Sequence, residues 1–179
     1  MQAIVSILPQ PYFDQVEALW DELEAKFGLV GIRITSIPHF SWQIAETYRE
    51  EQFVQTIQSI ASESAPFEVH VRGVENFFSQ HPVVFLKVLK DTTLIKHHIK
   101  IWMKFLPIAK GLNFLYSPVL WRPHISLTYQ DLALDHLKAV MTFLKAKQID
   151  WTFGIDNLSL VSQSDSELGQ LQRQFNLSG

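Results

Sequence analysis

Pro38-His39-Phe40-Ser41-Trp42 and Pro123-His124-Ile125-Ser126-Leu127 are two near copies of one pattern: a proline, then a histidine two residues ahead of a serine, in apolar surroundings. In an extended strand successive side chains alternate faces, so His39 and Ser41 point one way together, as do His124 and Ser126. Phe40, Trp42, Ile125 and Leu127 then turn into the opposite layer. Each run predicts a strand that is apolar beneath and carries an imidazole and a hydroxyl above. With 7 His and 22 Ser or Thr among 179 residues, about one His-x-hydroxyl pair is expected by chance. A second copy behind the same proline is far rarer, so the two runs are read as a pair.

Around these runs the hydrophobic spacing predicts an α+β chain. Met1 to Leu8 reads as a first strand; it has no basic residues ahead of its apolar ones and meets Pro9 and Pro11 at once, unlike a secretory leader. Phe13, Val16, Leu19, Trp20, Leu23 and Phe27 fall at helical spacing between Pro11 and Gly28. Val30 to Thr35 and Pro38 to Ile44 read as strands, and Thr47-Tyr48-Arg49-Glu50 as a capping box opening a helix with Phe53, Ile57, Ile60 and Ala61 inward. Alternation from Phe67 to Arg72 and the apolar run Val83 to Leu89 predict a hairpin. Asp91 or Thr92 is expected to cap a helix with Leu94, Ile95, His98, Trp102 and Phe105 inward. The second motif strand is read from Arg122 to Tyr129. Asp131 is then expected to cap a helix with Leu134, Leu137, Val140, Met141 and Leu144 inward, followed by strands at Asp150 to Ile155 and Leu158 to Val161. The polar tail from Gln163 reads as irregular.

At 179 residues and 47% hydrophobic, the chain suits one domain, residues 1–179, built as two small lobes sharing a sheet system. A formal net charge of -3 without a stripe of Lys and Arg argues against holding long nucleic acid through many phosphates, and is compatible with a small or terminal phosphate ligand. The absence of cysteine excludes disulfides, thiolate catalysis and cysteine-ligated metal, and fits a cytoplasmic location. Charges such as Lys87 and Lys90 interrupt the apolar runs, so no membrane span and no membrane partner are expected. A monomer is expected, and the absence of sustained apolar heptads excludes one route to assembly, a dimerising coiled coil.

Each half carries a His-x-Ser strand, a capped helix and a pair of strands, with His39 and His124 lying 85 residues apart. A pseudo-twofold arrangement would bring the two imidazoles across one cleft. That geometry suits in-line displacement at phosphorus, where one imidazole takes a proton from the attacking oxygen and the other gives one to the departing oxygen. Histidine serves both roles because its ordinary pKa is about 6.5. Ser41 and Ser126 can donate to non-bridging phosphate oxygens, and the scheme calls for no metal or other cofactor. Arg122 shares strand parity with His124 and Ser126, so it is a candidate phosphate contact, against a plain salt bridge at a strand end. Gln43, by parity with His39 and Ser41, and Tyr129, after the second motif, are candidate contacts to a base or sugar. His97 and His98 read as surface and core-edge residues, His70 as solvated sheet surface, His81 and His136 as structural, and the aromatic side chains as packing.

The paired motifs resemble those of the two-histidine (2H) phosphoesterase superfamily, which includes the 2′-5′ RNA ligase-like proteins and the cyclic nucleotide phosphodiesterases. The resemblance extends over most of the chain. It implies a bilobal, pseudo-twofold α+β fold, with two antiparallel sheets facing a central groove and helices outside. It further implies metal-independent hydrolysis or transfer at a 2′,3′-cyclic, 1″,2″-cyclic or 2′-5′ phosphodiester of an RNA end or nucleotide, with His39 and His124 as acid and base and Ser41 and Ser126 holding the phosphate. Serine stands at both hydroxyl positions where many members have threonine, and Trp42 follows the first motif where a small aliphatic residue is common. A nucleotide- or RNA-end-binding module that keeps the groove without turnover is the alternative.

Overall fold

A computed structural model describes residues 1–35, 37–164 and 167–179. The elements run β1 (Gln2–Ile7), α1 (Tyr12–Phe27), β2 (His39–Ala45), β3 (Thr47–Tyr48), α2 (Glu50–Ser62), β4 (Phe67–Phe77), β5 (Val83–Val88), α3 (Thr92–Phe105), β6 (Ala109–Lys110), β7 (His124–Ser126), α4 (Leu137–Lys145), β8 (Asp150–Ile155), β9 (Asn157–Ser164) and β10 (Glu167–Asn176). They build two four-stranded antiparallel sheets, in the orders β10-β9-β1-β2 and β7-β5-β4-β8, and a small β3-β6 ladder. The two motif strands, β2 and β7, are the edges of their sheets, and they pack beside one another.

The chain crosses repeatedly between the sheets. β1 lies in the first, yet α1 reaches the second, where the Tyr12 ring packs on Trp151 and Phe153 and its hydroxyl donates to the Thr152 carbonyl at 3.0 Å. α2 and α3 cover the first sheet and α4 the second. β8 and β9, consecutive in sequence, fall in different sheets, so the second motif lacks the hairpin that follows the first. The first sheet is thus stitched from both ends of the chain, while the strands of the second all come from its middle. Among the described residues no helix is long and apolar enough to cross a membrane.

Most elements form where local chemistry asks for them. α1 closes on Gly28 in the left-handed region, φ 69°, whose N–H bonds the Glu24 carbonyl. Asp91 caps α3 by accepting from the Leu94 N–H at 2.7 Å. The departures have tertiary causes. Val30 to Thr35, apolar at every second residue, forms a 3-10 helix at Gly31–Ile34 instead of a strand. Its first N–H groups, of Val30 and Gly31, donate to one carboxylate oxygen of Asp131 at 2.7 and 2.6 Å. Gly31 lies so close to the Tyr129 carbonyl that any side chain there would collide with it. Asp131 therefore caps a helix 100 residues upstream, not the following one: α4 begins only at Leu137, and Leu134 is 55% exposed. Ile95 is also exposed. Thr47 makes no capping box, because Thr47 and Tyr48 are drawn into the ladder with β6. The tail is not irregular: β10 pairs with β9 through Asn176, its polar composition reflecting a solvent-facing edge strand, while Asp165 and Ser166 lie outside the described residues. Replacing Asp131 by alanine is expected to cost about 1–2 kcal/mol, as for loss of a helix cap, read as a lower urea midpoint.

Candidate active site

Between β2 and β7 lies a cavity of about 160 Å3 lined by His39, Ser41, His124, Ser126, Tyr116 and Tyr129. Trp20 and the isoleucines at 32, 34, 37 and 44 complete its apolar wall. The 3-10 helix pinned by Asp131 supplies two of those isoleucines.

The two imidazoles are held identically. Nδ1 of His39 donates to the Ile37 carbonyl and Nδ1 of His124 to the Arg122 carbonyl, each at 2.6 Å. A carbonyl oxygen only accepts, so in the neutral ring the proton sits on Nδ1 and Nε2 keeps its lone pair. The prolines of the motifs fit this arrangement: Pro38 and Pro123 bias Ile37 and Arg122 to extended backbone, and it is the carbonyls of those two residues that meet the rings. Burial lowers the pKa of both histidines below the usual 6.5, opposed in each by the carbonyl bond. His124 is lowered further by the charges of His39 and Arg122, so the two imidazoles are near enough to sense each other.

Edge strands leave carbonyls without a ladder partner, and here indoles take their place. Trp121 Nε1 donates to the Ser41 carbonyl at 2.9 Å, and Trp20 Nε1 to the Ser126 carbonyl at 3.1 Å. His98, expected at the core edge, is fully buried: its Nε2 bonds the carbonyls of Trp42 and Tyr116 at 3.2 and 3.0 Å, and its ring stacks on Trp121 at 3.8 Å. Burial pushes its pKa down to about 4. It is a neutral structural residue.

Four of the expected site residues, His39, Ser41, His124 and Ser126, meet in one cavity, and Tyr129 joins them. Arg122 makes the salt bridge considered for it, pairing with Glu75 at 2.8 Å, and lines a second cavity with His124 and Ser126. Gln43 is not at the groove. A bulge makes Trp42 an extra residue, Ile4 pairing with Gln43 and Val5 with Ser41; beyond it the parity of β2 inverts, Ile44 faces the cavity, and Gln43 is buried with its amide oxygen accepting from Tyr48 at 3.2 Å. Tyr116 was not singled out by any pattern in the sequence. It shares a hydrogen bond with the Ser41 side chain, and burial pushes its phenol up to about 12, so it stays a protonated donor. His70 bonds Thr152 on the sheet exterior, and His97 stacks on Phe67. Among the described residues no three His, Asp or Glu converge as a metal-holding group.

A family model described as the 2′-5′ RNA ligase superfamily matches residues 12–167. No curated protein matches the chain by sequence. Solved structures of the same fold include TT0787 of Thermus thermophilus, at 13% identity and TM-score 0.64 over 99% of this chain and 98% of that one. E. coli LigT complexed with 3′-AMP aligns at 11% identity and TM-score 0.63, over 99% and 98%. LigT complexed with ATP aligns at 13% and 0.60 over the same shares. At these identities the likeness is one of fold.

Proposed function

The chain belongs to the 2′-5′ RNA ligase superfamily, and from that we propose that it is a phosphodiesterase of the two-histidine type, hydrolysing or transferring a 2′,3′-cyclic or 2′-5′ phosphodiester of an RNA end or nucleotide. The observation that carries the reading is the pair of imidazoles in one cavity, each with its Nδ1 proton fixed on a carbonyl and its Nε2 free. In hydrolysis the oxygen of water bonds to phosphorus as the opposite phosphorus–oxygen bond breaks. One neutral Nε2 takes the proton of the attacking water, and the other, protonated beforehand, gives its proton to the departing oxygen. Ser41 and Ser126 donate to the non-bridging oxygens. E. coli LigT has been crystallised with 3′-AMP, a ligand of the size proposed here.

Incubating the protein, with chelator present, with the four nucleoside 2′,3′-cyclic monophosphates and a short RNA ending in a cyclic phosphate tests the reading. Ring opening supports it, and the isomer formed identifies the bond broken; ligand bound without product would leave a binding module instead.

The pH dependence follows from the direction of the histidine shifts. The base must be neutral and the acid protonated, so activity falls on the acid side as the base gains a proton and on the alkaline side as the acid loses one. Both pKa values lie below 6.5 in the unliganded protein, so kcat/KM is expected to peak below pH 6.5. Bound phosphate stabilises both protonated rings, which moves the kcat optimum to higher pH. A kcat/KM maximum above about pH 7.5 would contradict the assigned roles.

A further inference from the structure

Beside His124 the groove continues into a second cavity of about 580 Å3, which shares His124, Ser126, Tyr116 and Tyr129 with the first. Its remaining walls are Phe77, Val83, Leu115 and Leu120, with Arg122 and Asn113 at the polar positions. Leu115 and Leu120 are 68% and 54% exposed, so these two leucines present apolar surface to whatever enters.

The polar groups here are already engaged. Arg122 is paired with Glu75 at 2.8 Å and lies over the Phe77 ring at 4.8 Å, and Glu75 also binds Lys87 at 2.7 Å. The Asn113 side-chain oxygen accepts from the Leu115 N–H at 3.1 Å. The one guanidinium of the chamber is thus drawn onto a carboxylate that it shares with Lys87, at the polar edge of a wall that is otherwise apolar. An alkyl or aryl group would meet aliphatic and aromatic surface on several sides.

We propose that this chamber is the subsite for an uncharged, apolar substituent carried on the reacting phosphate, and that the substrate is a monoanionic phosphodiester with one such arm. The proposal rests on the phosphodiesterase reading above and deepens it by naming the substrate class. The arm leaves phosphorus on the His124 side, where its oxygen exchanges a proton with that imidazole whether the reaction runs toward cleavage or transfer.

Calorimetric titration of the intact protein with inorganic, methyl, butyl, hexyl and phenyl phosphate tests this without requiring turnover. Affinity is expected to rise about two- to fourfold per added methylene, as for a methylene partly to fully removed from water, with phenyl phosphate near the top of the series. The Leu120→Ser and Leu115→Ser variants, each at an exposed position, should flatten that slope. A flat series with inorganic phosphate still bound would overturn the chamber and leave the phosphodiesterase reading standing. A slope unchanged in both variants would place the alkyl chain elsewhere and also overturn it. Failure of every member, inorganic phosphate included, would remove the reading and the chamber with it.

Discussion

Replacing either His39 or His124 by alanine is expected to lower turnover of a cyclic phosphodiester at least about a hundredfold, since a positioned acid or base contributes on the order of 10²–10⁴. The two losses should not multiply. The two imidazoles act in one displacement, one on the attacking and the other on the departing oxygen, so the double variant is expected to resemble the worse single one. The fold should persist, because each ring faces the cavity and, among the described residues, its hydrogen bond is to the carbonyl two residues back, while the packing beneath is carried by Phe40, Trp42 and Ile125. Product formation from a nucleoside 2′,3′-cyclic phosphate, with melting temperatures recorded in parallel, checks both halves. Rates within about threefold of the parent in folded variants would remove the histidines from the chemistry.

What the sequence disclosed was whatever depends on near neighbours. Alternation across Pro38 to Trp42 and Pro123 to Leu127 placed four side chains correctly, and Pro11, Gly28 and Asp91 marked helix ends that the structure keeps. Gln43 escaped because its direction depends on a bulge set by the register of β1 against β2, a relation between strands some forty residues apart. The strand expected over Val30 to Thr35 failed for the same kind of reason: its capping carboxylate, Asp131, arrives from the other half of the chain. Tyr116 ends a one-turn 3-10 helix, Phe114–Tyr116, too short to show a periodicity, and nothing local marks a tyrosine whose partner is Ser41. The apolar chamber is assembled from a strand end, a hairpin, a 3-10 turn carrying Leu115, and Leu120 beyond it, so no single segment could announce it. Local pattern placed the polar side chains of the cavity, and long-range packing set its shape.

Trp121→Ala is expected to be among the most destabilising single changes, at about 4 kcal/mol or more, because it combines two losses. The ring is 2% exposed and is sandwiched between Trp42, at 5.5 Å and 20°, and His98, at 3.8 Å and 6°; deleting a buried tryptophan costs about 3–5 kcal/mol. The deletion also strips the Ser41 carbonyl of its donor, and an unpaired buried acceptor costs about 1–3 kcal/mol. For a chain of this size the melting temperature should fall on the order of 10 °C. Trp121→Phe separates the terms: it keeps an aromatic face against His98 but has no N–H, so its loss should be mainly that of the unpaired acceptor, about 1–3 kcal/mol. Its effect on catalysis is the more informative result. Trp121 lies immediately before Arg122-Pro123-His124, and its bond reaches the backbone of the serine in the other motif, so it spans the two edge strands that carry the site. Those strands can face each other only because each is an edge, and being edges they lack ladder partners for their outer carbonyls; the Trp121 indole fills that vacancy in β2 and ties it to the approach of β7. The phenylalanine variant, still folded, is therefore expected to show a several-fold lower kcat with little change in KM. Parent-like stability and kcat would mean that the indole N–H contributes neither to the fold nor to the spacing of the two histidines.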